Sequence, residues 1–127
     1  PVRPTLIREG EGGEAFGERA AMRLLAQKPR PTAIVCATDL EAIGVLQALD
    51  HHGLIAGRDV SVIGHDDLPE ASLTQPPLAT IRQPHADVGT RLAEIVGALA
   101  DGHDPGAYQE VWQPELIVRG SLGEATP

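Results

Sequence analysis

The chain has 127 residues, of which 42% are hydrophobic and 22% are charged, and its formal net charge is −8. This composition is typical of one globular domain with an aliphatic core, because Phe, Tyr and Trp occur only once each. The acidic balance argues against nucleic-acid binding by this chain, and the single cysteine excludes an internal disulfide and a multi-cysteine zinc site.

The hydrophobic pattern predicts alternating strands and helices. In chain order they are a strand at 5–7, a helix at 14–27, a strand at 33–37, a helix at 38–52, strands at 60–64 and 78–81, a helix at 84–101 and a closing strand. The strand runs are continuously apolar, which is typical of parallel strands covered on both faces. The sequence therefore predicts a doubly wound, mostly parallel α/β sheet.

Local signals define the ends of the later helices. The Thr38 hydroxyl can cap the second helix while Glu41 reaches back to form a capping box, and Gly53 ends that helix. Pro84 suits the first position of the third helix. Within the second apolar run, Cys36 is expected to be a small buried hydrophobe rather than a reactive thiol.

The second helix is apolar around more of its circumference than one core-facing stripe requires. Two interpretations remain open. The helix is buried between the sheet and a neighbouring loop, or one side packs on the sheet and the other on a partner chain. Under the second interpretation, the dimer interface includes Ala42, Val45, Leu46 and Leu49.

Ligands of open α/β sheets bind beyond the carboxyl ends of the strands. The residues there are 8–13, Thr38 and Asp39, 65–67, and Arg82 with Gln83. This acidic, hydrogen-bonding rim suits a neutral polyhydroxylated ligand, because carboxylates accept hydroxyl protons and an amide both donates and accepts. Alternatively, Asp66 and the acid after it are solvated loop residues, and Asp39 simply favours the positive helix N-terminus.

No set of residues with catalytic or metal-binding spacing emerges from the sequence. The glycines at 10–13 lack phosphate-loop spacing and have acidic neighbours, the five histidines lack metal-ligand spacing, and no nucleophile motif of the G-x-S-x-G kind is present. The sequence therefore predicts a protein that is not an enzyme and has no metal and no cofactor.

Four segments resemble the LacI/GalR family of transcriptional regulators, in that family's order and spacing. They are PTAI at 31–34 with ATDLEAIG at 37–44, DVSVIGHDD at 59–67, PPLATIRQP at 76–84 and PELIVRGS at 114–121. The resemblance implies a periplasmic-binding-protein-like sensor of two α/β lobes with a small effector, such as a sugar or nucleoside, in the cleft.

The resemblance also implies how this chain is organised within such a sensor. Residues 1–83 are expected to form an incomplete C-terminal subdomain, and residues 84–110 a crossover helix region that packs with the N-terminal subdomain. Residues 111–127 are expected to form a return strand, at 115–119, and a tail. The expected protein is a cytoplasmic homodimer that binds DNA only through a helix-turn-helix outside this chain.

Individual residues take their expected roles from the matching motifs. Asp66 corresponds to the acid that binds effector hydroxyls, and Gln83 to a hydrogen-bonding residue at the crossover. Thr38 stands where an Asn often contacts the effector, with Asp39 beside it, and Gly12 where many members have an aromatic ring. Leu73 lies in a segment whose counterpart belongs to the dimer contact.

Two other functions compete with the regulator. One is the sugar-binding protein of an ABC uptake system, which shares the fold, and the other is a sugar-modifying enzyme that uses Asp66 and a histidine. The Arg-Gln-Pro and Arg-Gly-Ser segments favour the regulator over the first of these. The absence of a catalytic motif argues against the second.

Overall fold

The computed structural model describes residues 3–124 and contains one four-stranded sheet. The strands are β1 (Ala33–Val35), β2 (Ser61–His65), β3 (Ala79–Arg82) and β4 (Glu115–Ile117), in the spatial order β1-β2-β3-β4. The helices are α1 (Glu14–Leu25), α2 (Asp39–His51) and α3 (His85–Ala100). Both β1 and β3 run parallel to β2, so the predicted mostly parallel α/β fold is confirmed.

The chain divides into two compact units. The first comprises the described residues up to Arg82 together with those from Leu116 onward, and the second is Gln83–Glu115. The resemblance places the boundaries elsewhere, between residues 83 and 84 and between residues 110 and 111, and that division stays a prediction. Its first two residues and residues 125–127 lie outside the described part of the chain. None of the described helices is both long and apolar enough to cross a membrane.

The predicted strand at 5–7 is wrong. A 3-10 turn, Pro4–Leu6, occupies this segment, with a proline at its first position. The amide of Leu6 donates to the Arg3 carbonyl at 2.9 Å and that of Ile7 to the Pro4 carbonyl at 3.1 Å. These local hydrogen bonds replace the ladder that a strand would make.

The ends of the later helices follow the predicted signals closely. The Thr38 hydroxyl accepts a hydrogen bond from the Glu41 amide at 3.3 Å, and Gly53 follows α2 with a φ of 67°. The Glu41 carboxylate reaches one residue further back than in a capping box, to the Ala37 amide at 3.0 Å. Pro84 is the N-cap of α3 rather than its first residue.

The apolar excess on α2 is explained within the chain, because α2 packs on α1 as well as on the sheet. A Cβ at Gly17 would collide with the Glu41 carbonyl, and one at Gly44 with the Glu14 carbonyl, so the two helix backbones lie very close together. The four α2 residues named for the dimer interface belong to the buried core of this chain, which favours the first of the two interpretations, while the interface itself stays a prediction: Ala42, Val45, Leu46 and Leu49. Leu73, in contrast, is 81% exposed.

The segment after β4 joins the other strands through Ser121, which is fully buried. Its hydroxyl donates to the Val62 carbonyl at 2.7 Å and accepts from the Ala79 amide at 2.8 Å. Its own carbonyl accepts from the Val62 amide at 2.8 Å. Ser121 therefore satisfies backbone groups of β3 and of β2, which fixes the tail as a structural part of the first unit.

The close approach of α1 and α2 predicts an unequal response to added methyl groups. Gly17→Ala should lower the free energy of unfolding by about 1–3 kcal/mol, because the Cβ can be accommodated only if the helices separate. Gly89→Ala is the matched control: it lies in α3 with no atom within 4 Å of an added Cβ, so its better helix propensity should leave stability unchanged or raised. Urea unfolding followed by circular dichroism tests this, and equal effects of the two substitutions would contradict the packing.

Candidate functional site

The turn that follows β2 carries two adjacent aspartates in unusual backbone conformations. Asp66 has a φ of 109° and Asp67 a φ of 53°, and both values lie in the region that glycine usually occupies. The Asp66 amide donates to the Ile81 carbonyl at 2.9 Å, which ties the turn to β3. Strained turns of this kind persist where the surroundings hold them and are concentrated at functional sites.

The side chain of Asp66 remains reachable from solvent. It is 35% exposed, and its Oδ1 lies 2.9 Å from the Nδ1 of His65, the last residue of β2. The imidazole therefore restricts the rotation of the carboxylate without covering it. A carboxylate held in this way can accept hydrogen bonds from the hydroxyl groups of a ligand.

Asp39 lies behind the turn. Its side chain is completely buried at the first position of α2, where it accepts hydrogen bonds from the Leu68 amide at 2.7 Å and the Thr80 hydroxyl at 2.5 Å. A Cβ at Gly64 would collide with the Asp39 carboxylate, so β2 needs a glycine there. Both carboxyl oxygens of Asp39 thus accept hydrogen bonds inside the first unit.

Thr80 extends this support to the next residue of the turn. Its buried hydroxyl donates to Asp39 and accepts from the Asp67 amide at 3.3 Å. Asp39 therefore holds the turn at two points: it accepts a hydrogen bond directly from the Leu68 amide, and it binds the Thr80 hydroxyl that in turn accepts from the Asp67 amide.

Asp67 itself faces two arginines. Its Oδ2 accepts from Nε of Arg82 and its Oδ1 from a terminal nitrogen of Arg119, both at 2.6 Å. Burial by itself would raise the pKa of Asp67, but the hydrogen bonds from Arg119 and Arg82 hold that pKa below its usual range. Sequence reasoning missed Arg119, because no local signal pairs residues 52 positions apart.

The remaining candidate residues occupy different parts of this region. Thr38 uses its hydroxyl as the α2 cap, and Gly12, with a φ of 80°, lies near the Glu41 carboxylate at the same end of α2. Gln83 begins the second unit. The structure therefore brings Gly12, Thr38 and Asp39 to the N-terminal end of α2, and the contacts of Asp39 place the Asp66 turn beside them.

A cavity of about 580 Å³ lies elsewhere in the first unit, between residues 6–10, α1 and β1. Its lining is mostly apolar and includes Cys36 but none of the aspartates above. Cys36 is partly buried, and this burial, together with the charges of Glu41 and Asp39, raises the pKa of its thiol to about 12, which disfavours the thiolate form. Within residues 3–124, no group of three or more His, Cys, Asp or Glu side chains is arranged to hold a metal ion.

The support beneath the turn leads to a stability prediction at Thr80. Thr80→Val keeps the shape but removes the donor to Asp39 and the acceptor for the Asp67 amide, so it should lower the free energy of unfolding by about 1–3 kcal/mol. Thr80→Ser retains the hydroxyl and should cost only about 1 kcal/mol for the lost methyl group. Urea denaturation of the two variants and the wild type measures both values. A valine variant as stable as the wild type would show that the hydroxyl is not needed.

Comparison with known proteins agrees with this architecture. The sequence profile of the periplasmic binding protein-like domain family matches residues 2–122. The HTH-type transcriptional regulator MalR of Streptomyces coelicolor is 42% identical over 121 residues, which are 91% of this chain and 32% of the relative. The chain thus spans about a third of the length of that curated relative.

Solved structures of regulators have the same fold. A LacI family regulatory protein from Chloroflexus aggregans superposes with a TM-score of 0.89 at 37% identity, over 97% of this chain and 44% of the other. A LacI family transcriptional regulator from Arthrobacter sp. FB24, solved in complex with lactose, superposes with a TM-score of 0.79 at 31% identity, over 88% and 43%. This chain therefore belongs to the periplasmic binding protein-like domain family, in the form that LacI-type transcriptional regulators contain.

Proposed function

We propose that this chain is the effector-sensing part of a LacI-type transcriptional regulator and that its effector is a sugar or another small neutral polar metabolite. The observation that carries the proposal is the Asp66 carboxylate, which stands partly exposed on a fixed turn at the carboxyl end of β2. The relatives reported above are transcriptional regulators, which favours this function over the uptake-binding protein that shares the fold and over an enzyme.

The chemistry of the rim supports a neutral polyol as the ligand. Asp66 is a hydrogen-bond acceptor for hydroxyl groups, and the net charge of −8 disfavours anionic ligands. Gln83 is the second proposed contact, by its match to the family's crossover motif. Thr38 and Gly12 are proposed as neighbours of the ligand. Because Asp39 is buried and each of its carboxyl oxygens accepts an internal hydrogen bond, we propose that it supports the site rather than contacts the effector.

The proposed partners beyond the effector are DNA and a second copy of the chain. An acidic chain is a poor binder of phosphate backbones, so the proposal assigns DNA binding to a helix-turn-helix outside residues 1–127. Of the residues proposed for the dimer contact, Leu73 is exposed, whereas the apolar residues of α2 are buried in this chain. The proposed location is the cytoplasm, where such a regulator meets its operator.

The helix α3 has an exposed apolar side that suits the proposed packing of residues 84–110 on another subdomain. None of its residues is buried, and Leu92 and Val96 are 55% and 65% exposed. Large apolar side chains at helical spacing with this exposure indicate a surface that is covered in a larger assembly.

The proposed site is tested by calorimetry on a longer protein that contains this chain. Neutral disaccharides are the probes, starting with lactose, which the Arthrobacter relative binds. Asp66→Asn should weaken binding by roughly tenfold to a hundredfold, because losing a charged hydrogen-bond partner costs about 1.5–3 kcal/mol. Gln83→Ala should weaken binding as well.

Asp101→Asn is the matched control, because it makes the same chemical change at an exposed residue and should leave affinity unchanged. If both Asp66→Asn and Gln83→Ala bind the sugar as tightly as the wild type does, the assignment of the site is wrong.

A further inference from the structure

The chain passes between its two units twice, and an arginine stands beside each passage. It leaves the first unit after Arg82 and re-enters it at Leu116, three residues before Arg119. Both guanidinium groups donate to Asp67, one to each carboxylate oxygen, at 2.6 Å. One side chain on the turn after β2 therefore contacts the outgoing and the returning segment.

The burial of these groups distinguishes them from ordinary surface ion pairs. The Asp67 side chain is only 11% exposed and that of Arg119 only 18%, whereas Arg82 is about half exposed. Arg119 also donates to the Leu78 carbonyl at 2.8 Å, directly before β3. A desolvated pair with additional hydrogen bonds has a fixed geometry and is strongly destabilised when one partner is removed.

The position of Asp67 is itself fixed by the protein. Its amide donates to the Thr80 hydroxyl, and its φ of 53° turns its side chain away from the direction that an extended residue would give it. The proposed effector site does not account for Asp67, because arginines occupy both of its oxygens. The side chain of Asp66, one residue earlier, contacts His65 instead of these arginines and is 35% exposed.

We propose that Asp67 is a positioning residue that fastens both inter-unit passages of the chain to the turn after β2. Because Asp66 belongs to the same turn, a displacement of that turn is transmitted to the two passages through one carboxylate. Asp67 fastens the two passages whether or not Asp66 contacts a ligand.

The experiment is hydrogen–deuterium exchange on the 127-residue chain. Asp67→Asn should accelerate amide exchange by roughly tenfold at residues 80–82 and 116–121, while exchange in β1 and α2 stays at the wild-type rate. Asp66→Asn is the matched control, because it removes the same charge one residue earlier and should leave both passages at the wild-type rate. Wild-type exchange at both passages in Asp67→Asn, or equal acceleration by Asp66→Asn, would overturn the proposal.

A pH series separates fastening by the charge from a general structural role. The charged and titratable groups around Asp67 are Arg82 on β3, Arg119 after β4, Asp39 behind Thr80, and His65 with Asp66 at the end of β2. Because the arginines lower the pKa of Asp67, the stabilisation is present above the ordinary Asp range and is lost as pH falls through the lowered pKa.

The ratio of variant to wild-type exchange rates should therefore approach one at low pH, and a ratio independent of pH would refute the role of the charge. If Asp67→Asn does not fold, Arg82→Gln takes its place, since the Arg82 side chain is half exposed. Acceleration at residues 80–82 that disappears at low pH supports the proposal, and wild-type exchange there contradicts it.

Discussion

The carboxylate of Asp39 joins three elements at one edge of the sheet. It belongs to the first residue of α2. It accepts one hydrogen bond from the Leu68 amide, in the turn after β2, and another from the hydroxyl of Thr80 on β3. A buried carboxyl group is tolerated only where its oxygens have hydrogen-bond partners, so these three elements have to keep their relative positions for the fold to persist. The requirement extends to β2, where only a glycine at position 64 leaves space for the carboxylate.

Three aspartates within this small region illustrate how surroundings determine the role of one chemical group. Asp39 is sealed inside and organises the backbone, Asp67 binds two arginines, and Asp66 is held by His65 but remains open to solvent. Only the last arrangement leaves a carboxylate able to exchange water for the hydroxyls of a ligand. The strained backbone at Asp66 and Asp67 separates the two side chains into these different surroundings.

The sequence predicted the features that depend on local patterns and left out those that depend on distant contacts. The apolar runs of β1, β2 and β3 and the Thr38 cap were predictable, because periodicity and capping act within a few residues. The segment at 5–7 has the composition of a strand, yet Pro4 and local hydrogen bonds favour a turn. The apolar excess on α2 is compatible, from the sequence alone, with burial inside the chain or with a partner chain, and the close approach at Gly17 and Gly44 that lets α1 cover it has no local signal. The ion pair between Asp67 and Arg119 has no local signature at all.

We propose that the effector binds at the edge of the sheet that Asp39 organises. A crystal structure of a longer protein containing this chain, grown with a neutral disaccharide that it binds in solution, would show the site. A sugar hydroxyl should lie about 2.5–3.0 Å from a carboxylate oxygen of Asp66, while Asp39 keeps its hydrogen bonds to Leu68 and Thr80. A sugar bound in the cavity beside β1, with Asp66 exposed to water alone, would contradict it.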